Sequence, residues 1–211
     1  MPQIIALGDS ITRWANDYEK FWRTNRLQEK FNNLCIYTEV YNCWISGNTT
    51  QDLLKRFETE ISARISEDEE TFIIFAIGIN DTLIENETGN NKVPLKQFQE
   101  NIQYLIKGAK YFSENIHILE ITNVIEELTH PIERAPMYSY ENATIATYNQ
   151  AIAEICKKEK ITFIELPTTK TINSSIPFLL PEEISDGVHP NEKWHQKIAD
   201  IVFKALSPQI I

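Results

Sequence analysis

Gln3-Ile4-Ile5-Ala6-Leu7-Gly8-Asp9-Ser10 is the segment that decides the fold. Four consecutive apolar residues, Ile4 to Leu7, end at a turn-forming Gly8-Asp9 and read as a short buried strand. Comparable runs recur, so strands are expected over residues 3–7, 36–41, 72–77, 116–121 and 162–166. Helical periodicity fills the intervals and predicts helices over 17–31, 50–65, 95–112, 142–158 and 191–206. Two of the helix starts have chemical support. Pro94 precedes a periodic apolar pattern, and Thr49-Thr50-Gln51-Asp52 offers hydroxyl caps with an acid in the first turn. Strands alternating with helices give an α/β protein with a parallel sheet and crossover helices. In such a sheet, ligands bind at the C-terminal ends of the strands, which is where Ser10 falls.

Two further blocks carry chemistry. Gly78-Ile79-Asn80-Asp81 follows the third expected strand, and Asp186-Gly187-Val188-His189 precedes the last helix. A serine hydroxyl is a poor nucleophile near neutral pH and needs an imidazole to take its proton. His189 is the expected base. Asp186, three residues upstream, is close enough for one tight turn to make it the acceptor that orients the ring. Asn80 supplies an amide donor for the charge that develops on a carbonyl oxygen under attack, and the backbone N–H of Ser10 supplies another. Gly47 could supply a third, although a lone glycine in a loop is more often just a turn residue. Asp9, adjacent to the nucleophile, is expected to support the Ser10 loop. Each block alone is a weak signal, but the three together arise by chance roughly once in a few thousand chains of this length.

Composition bounds the remaining possibilities. A chain of 211 residues with 42% hydrophobic and 24% charged content suits one domain over residues 1–211. The net charge of −10 opposes nucleic-acid binding and stable anchoring on an anionic membrane. No run approaches the ~18 apolar residues of a membrane span, and no signal peptide is evident at the start, so a cytoplasmic location is expected. Cys35, Cys43 and Cys156 have no CxxC spacing and are expected to be buried free thiols. His117, His130 and His195 lack an acid at a suggestive spacing. No HExxH or clustered cysteine pattern calls for a metal, and no glycine-rich phosphate loop calls for a nucleotide cofactor. No cofactor is expected, and the expected partner is a small molecule that carries a carbonyl group. Trp14, Trp44, Tyr138 and Tyr140 could line the pocket, but residues of this kind more often serve core or loop packing. Residues 82–93 and 123–139 leave strand ends as irregular loops expected to shape it.

On these residues the chain resembles the SGNH hydrolases, also called the GDSL esterase and lipase family. Gly8-Asp9-Ser10-Ile11-Thr12 looks like their nucleophile block, Gly47 falls where their second-block glycine does, and Gly78-Ile79-Asn80-Asp81 and Asp186-Gly187-Val188-His189-Pro190 match the third and last. Asn48 departs from the pattern, because many relatives carry aspartate there. The resemblance implies a three-layer α/β/α sandwich with a flavodoxin-like five-stranded parallel sheet of order 2-1-3-4-5. It also implies a Ser10, Asp186 and His189 triad and an oxyanion hole of Ser10, Gly47 and Asn80. The activity it implies is acyl-enzyme hydrolysis of carboxylic esters or thioesters, esterase- or lysophospholipase-like. Carbohydrate O-deacetylation is the alternative within hydrolases. A catalytically idle α/β module that binds a small ligand is the alternative of another class.

Overall fold

Along β1 (Gln3–Gly8) Ile4 points to one face of the sheet and Ile5 and Leu7 to the other, and all three are fully buried. A strand buried on both faces needs helices on both, and the rest of the chain supplies them. The computed structural model describes residues 1–13, 23–166, 186–190 and 192–211. After β1 come α1 (Ser10–Arg13), α2 (Arg23–Asn33), β2 (Glu39–Trp44), α3 (Thr50–Leu54), α4 (Phe57–Ser62), β3 (Thr71–Ala76) and β4 (Ile84–Glu85). They are followed by α5 (Leu95–Ala109), β5 (Asn115–Leu119), α6 (Glu126–Thr129), β6 (Tyr138–Ser139), α7 (Asn142–Glu159), β7 (Thr162–Ile164) and α8 (Glu192–Ile210).

Five strands form one sheet in the order β2-β1-β3-β5-β7, with every pairing parallel. Numbered along this sheet alone, that is the expected flavodoxin-like 2-1-3-4-5. One face packs Ile5, Leu7, Ile73, Phe75, Ile116 and Ile118 against residues of α3, α4, α5 and α7. The other packs Ile4, Phe72, Ile74, Leu119 and Ile164 against α2 and α8. Each fully buried Ile, Leu or Phe contributes roughly 1.5–3 kcal/mol relative to leaving it in water. The three-layer sandwich thus follows from the alternation of side chains along each strand.

Most elements differ from expectation at their ends: β3 and β5 start one residue early, β7 ends at Ile164, α5 at Ala109 and α8 at Ile210. Three further departures have structural causes. β2 starts at Glu39 rather than 36, because its register with β1 pairs Gln3 with Glu39 and Gly8 with Trp44. As an edge strand it is mostly half-buried and gives no continuous apolar signal, and Tyr37, inside the expected run, is 72% exposed. The helix expected over 50–65 is broken into α3 and α4. Thr49 caps α3 through a capping box with Asp52, as its sequence suggests, but the chain turns at Lys55-Arg56 so that Phe57 can be buried beside Gly108 of α5. The loops over 82–93 and 123–139 are not wholly irregular, since β4 and β6 pair antiparallel and join them, and α6 lies in the second. The first part of the helix expected over 17–31 lies outside the described residues, as does Trp14. Among the three free cysteines Cys43 and Cys156 are buried, whereas Cys35 is exposed, contrary to expectation: it sits in the turn that leaves α2, past the helix's packed face.

His117 of β5 faces the α2/α8 layer, only 1% exposed. Burial lowers its pKa from 6.5 to about 4. The unfolded chain therefore binds a proton between those values that the folded chain refuses, so this residue's contribution to stability is complete above pH 6.5 and is lost as pH falls toward 4. Asp81 runs the other way, raised from 3.8 to about 7 by burial against hydrogen bonds from Thr50. The difference between wild type and His117→Leu isolates the histidine. Melting temperatures from pH 7 to 4 should fall less steeply in the variant, and parallel curves would refute the assignment.

Candidate active site

The C-terminal ends of β1, β2 and β3 release three loops, and hydrogen bonds lock these to one another. Ser10 begins α1, whose start is held by Asp9: its buried carboxylate accepts from the N–H of Ile11 at 2.9 Å. This is the supporting role expected of Asp9. From the loop after β2, the N–H of Ile45 donates to Gly8 O at 3.1 Å and that of Asn48 to Ile45 O at 3.2 Å, closing a turn with Gly47 between them at φ +76°. From the loop after β3, Asn80 Nδ2 donates to Asn48 O at 3.0 Å. A primary amide has two N–H groups, so one remains for a ligand.

Asp81, next to Asn80, is fully buried and receives the backbone N–H of Thr50 on both oxygens, at 3.1 and 3.0 Å, and the Thr50 hydroxyl at 2.5 Å. Asn101 of α5 donates to that hydroxyl at 2.8 Å. The loops bearing Gly47 and Asn80 are therefore braced twice, by Asn80 to Asn48 and by Thr50 to Asp81. The second brace was not singled out from the sequence. Its signal was present in an acid directly following Asn80 in a short polar stretch closed by Ile79 and Leu83.

The turn at 186–189 is built by one carboxylate. Asp186 Oδ1 accepts from the N–H groups of Val188 and His189, each at 3.0 Å, and Oδ2 lies 2.6 Å from His189 Nδ1. The other ring nitrogen, Nε2, lies 2.7 Å from Ser10 Oγ. With Nδ1 donating to the carboxylate, Nε2 is free to accept from the serine. Burial pushes the Asp186 carboxyl up, but the hydrogen bond and charge of the His189 ring and the two backbone N–H groups outweigh it and bring it down to about 2.

Gly187 sits at φ +75°, and its carbonyl accepts from the N–H of Ile125 at 2.8 Å. A Cβ there would meet Leu128 Cβ at 2.8 Å and Thr129 Cγ2 at 2.9 Å, so α6 is pressed directly on this turn.

Tyr140 is buried, and burial together with the carboxylates of Asp9, Asp186 and Asp81 holds its phenol protonated. Tyr138 is half-buried in β6, and Trp44 half-buried at the end of β2. His117 is in β5, His130 follows α6, and His195 is buried in α8. Among the described residues no group of three or more His, Cys, Asp or Glu side chains could hold a metal ion, and no helix is long and apolar enough to cross a membrane.

Beside the C-terminal end of β1, Ser10 and the turn that carries Asp186 and His189 thus meet in one series of hydrogen bonds, a geometry suited to activating a hydroxyl as nucleophile. The chain belongs to the GDSL-like lipase/acylhydrolase family, which it matches over residues 6–197. Solved structures share the fold. A lipase/acylhydrolase from Enterococcus faecalis superposes with a TM-score of 0.76 at 17% identity, covering 99% of this chain and 97% of that one. The acetyl xylan esterase AlAXEase gives 0.74 at 18% identity, covering 97% and 99%. An acetylxylan esterase from Geobacillus stearothermophilus gives 0.70 at 19%, covering 96% and 92%. An uncharacterised lipoprotein of Bacillus subtilis, YqeF, is 30% identical over 113 residues, which is 51% of this chain and 43% of that protein. The match therefore spans less than half of that relative's length.

Proposed function

We propose that the protein is a serine esterase that works through an acyl-enzyme, with Ser10 as nucleophile, His189 as general base and acid, and Asp186 as the group that orients the ring. The observation that carries this reading is the series Ser10 Oγ to His189 Nε2 to Asp186 at 2.7 and 2.6 Å. Ser10 Oγ attacks the ester carbonyl carbon while its proton passes to Nε2. The carbonyl oxygen becomes an oxyanion held by the N–H groups of Ser10 and Gly47 and the free N–H of Asn80 Nδ2. Collapse breaks the ester C–O bond, and the leaving alcohol takes the proton from His189. Water then repeats the sequence on acyl-Ser10, giving the acid and the free serine. None of these steps needs a metal or an organic cofactor, and the substrate is a small acyl ester or thioester.

The test is a fluorophosphonate label with the modified peptide mapped by mass spectrometry, run beside p-nitrophenyl esters of increasing acyl length. Labelling at Ser10 with turnover supports the reading. A folded protein that takes no label instead favours a small-ligand-binding module. Two of the solved structures with this fold are named as acetylxylan esterases, which supports carbohydrate O-deacetylation as a second reading. Acetylated xylooligosaccharides turned over faster than any p-nitrophenyl ester above acetate would favour it, and a preference for longer acyl chains would exclude it.

Asn80→Ala should lower kcat by about 10²- to 10³-fold with the fold retained, because an oxyanion donor is worth that much and the variant also removes the bond to Asn48 O. A kcat within about threefold of wild type would remove Asn80 from the oxyanion hole.

A further inference from the structure

Arg56 stands at the break between α3 and α4, and its side chain, 15% exposed, turns into the ends of β1 and β2. Its Nε donates to Asn48 Oδ1 at 2.8 Å, one terminal nitrogen to Cys43 O at 2.8 Å and the other to Gly8 O at 3.0 Å. Glu60 Oε1 lies 3.6 Å from the nitrogen that meets Cys43. One rigid planar group thus spans the last residue of β1, the next-to-last residue of β2 and the residue after Gly47. Only a guanidinium has donors in such a fork, since a lysine ammonium is a single point on a flexible stem.

Gly47 needs external positioning. It is exposed, and beyond its chain neighbours no atom lies within 4 Å of where its Cβ would be, so no other part of the protein packs on that side. The site of its N–H depends on the hydrogen bonds that hold its neighbours. On one side Ile45 is tied to Gly8 O, the same oxygen that accepts from Arg56. On the other, the backbone carbonyl of Asn48 is held by Asn80 and its side chain by Arg56.

We infer that Arg56 is the positioning residue of the oxyanion hole: its fork fixes Asn48 against the Gly8 carbonyl, so that the N–H of Gly47 and the N–H of Ser10 converge on one oxygen. This rests on the reading of Ser10, Gly47 and Asn80 as the oxyanion donors. Arg56 touches no reacting atom. It acts through two donors whose spacing must match a tetrahedral oxyanion more closely than it must match a planar ester, so its loss falls on the chemical step and spares ground-state binding.

The test uses Arg56→Lys, which keeps the charge and loses the fork, and Asn48→Ala, which removes only the acceptor of Nε. For each, kcat and KM are measured on a p-nitrophenyl ester, together with the affinity for phenylboronic acid, which forms a tetrahedral adduct on a serine, and for the carboxylic acid product. Both variants should lose about 10- to 100-fold in kcat with KM changed less than about threefold. Boronate affinity should weaken by a similar factor while product affinity stays level. Retention of kcat and boronate affinity within about threefold overturns the inference, as does an equal loss of boronate and product affinity, which would mark general damage. If Arg56→Lys does not fold, Asn48→Ala decides by the same criteria. Ser10→Ala serves as the blank. A wild type without Ser10-dependent turnover overturns the esterase reading and this inference with it, whereas an active wild type beside unaffected variants overturns the inference alone.

Discussion

Ser10→Ala is expected to lower kcat by about 10⁶-fold and to abolish fluorophosphonate labelling, with the melting temperature nearly unchanged. The size of the loss follows from the way the three groups are joined. His189 Nε2 has the Ser10 oxygen 2.7 Å away as the group from which it can take a proton, and the Asp186 carboxylate is committed to the other side of the ring. Without the hydroxyl, the base and its orienter activate nothing, and only the oxyanion donors remain to assist a direct attack by water. The structural cost is small because Ser10 is half-exposed at the start of α1, whose first turn is held by Asp9 rather than by the serine side chain. Turnover of a p-nitrophenyl ester and unfolding by circular dichroism measure the two effects separately. A variant that keeps more than about a hundredth of the wild-type rate would rule out Ser10 as the nucleophile.

Asp186→Asn should cost about 10⁴-fold in kcat. An asparagine can still accept the Val188 and His189 N–H groups through its oxygen, so the turn survives. Its amide then faces Nδ1 with donors and favours the tautomer that carries hydrogen on Nε2, which cannot accept from Ser10. With Asp186 held at about 2, the carboxylate is ionised at neutrality, so the loss in the variant reports the orientation of the ring and not a change in the charge state of a wild-type carboxyl. Turnover of a p-nitrophenyl ester by wild type and variant at pH 7 measures it, and a variant within about tenfold of wild type would remove Asp186 from the orienting role.

The parts of the site that were legible in the sequence are those governed by short spacing. Ser10 ends an apolar run, and Asp186 and His189 are three apart, so one turn brings them together. The core strands were legible for a similar reason, since burial on both faces leaves an uninterrupted apolar stretch. β2 was displaced because an edge strand carries Glu39 and Asn42 on a half-buried ribbon. The break between α3 and α4 was hidden because residues 50–65 keep helical periodicity, and only the burial of Phe57 and the inward turn of Arg56 against distant strands overrides it. A signal for Arg56 did exist: it lies three residues after Leu53 and next to Phe57, a charge on the stripe that faces inward. Asp81 and Thr50 are 31 residues apart and their bond is visible only in three dimensions.

The pairing of β4 with β6 couples the two loops that overhang the strand ends. Ile84 is aligned with Ser139 and Glu85 with Tyr138, Asn86 donates to Met137 O and Pro136 O, and near the start of the second loop the N–H of Ile125 donates to Gly187 O. Residues 82–93 and 123–139 are therefore a single cassette, stitched at one end to the loop of Asn80 and at the other to the turn of His189. Lengthening or swapping either loop alone would strain the loop of Asn80 and the turn of His189 together. Engineers who wish to change what the enzyme accepts should exchange the pair together, keeping the β4–β6 register and the Ile125–Gly187 bond as the seams of the graft.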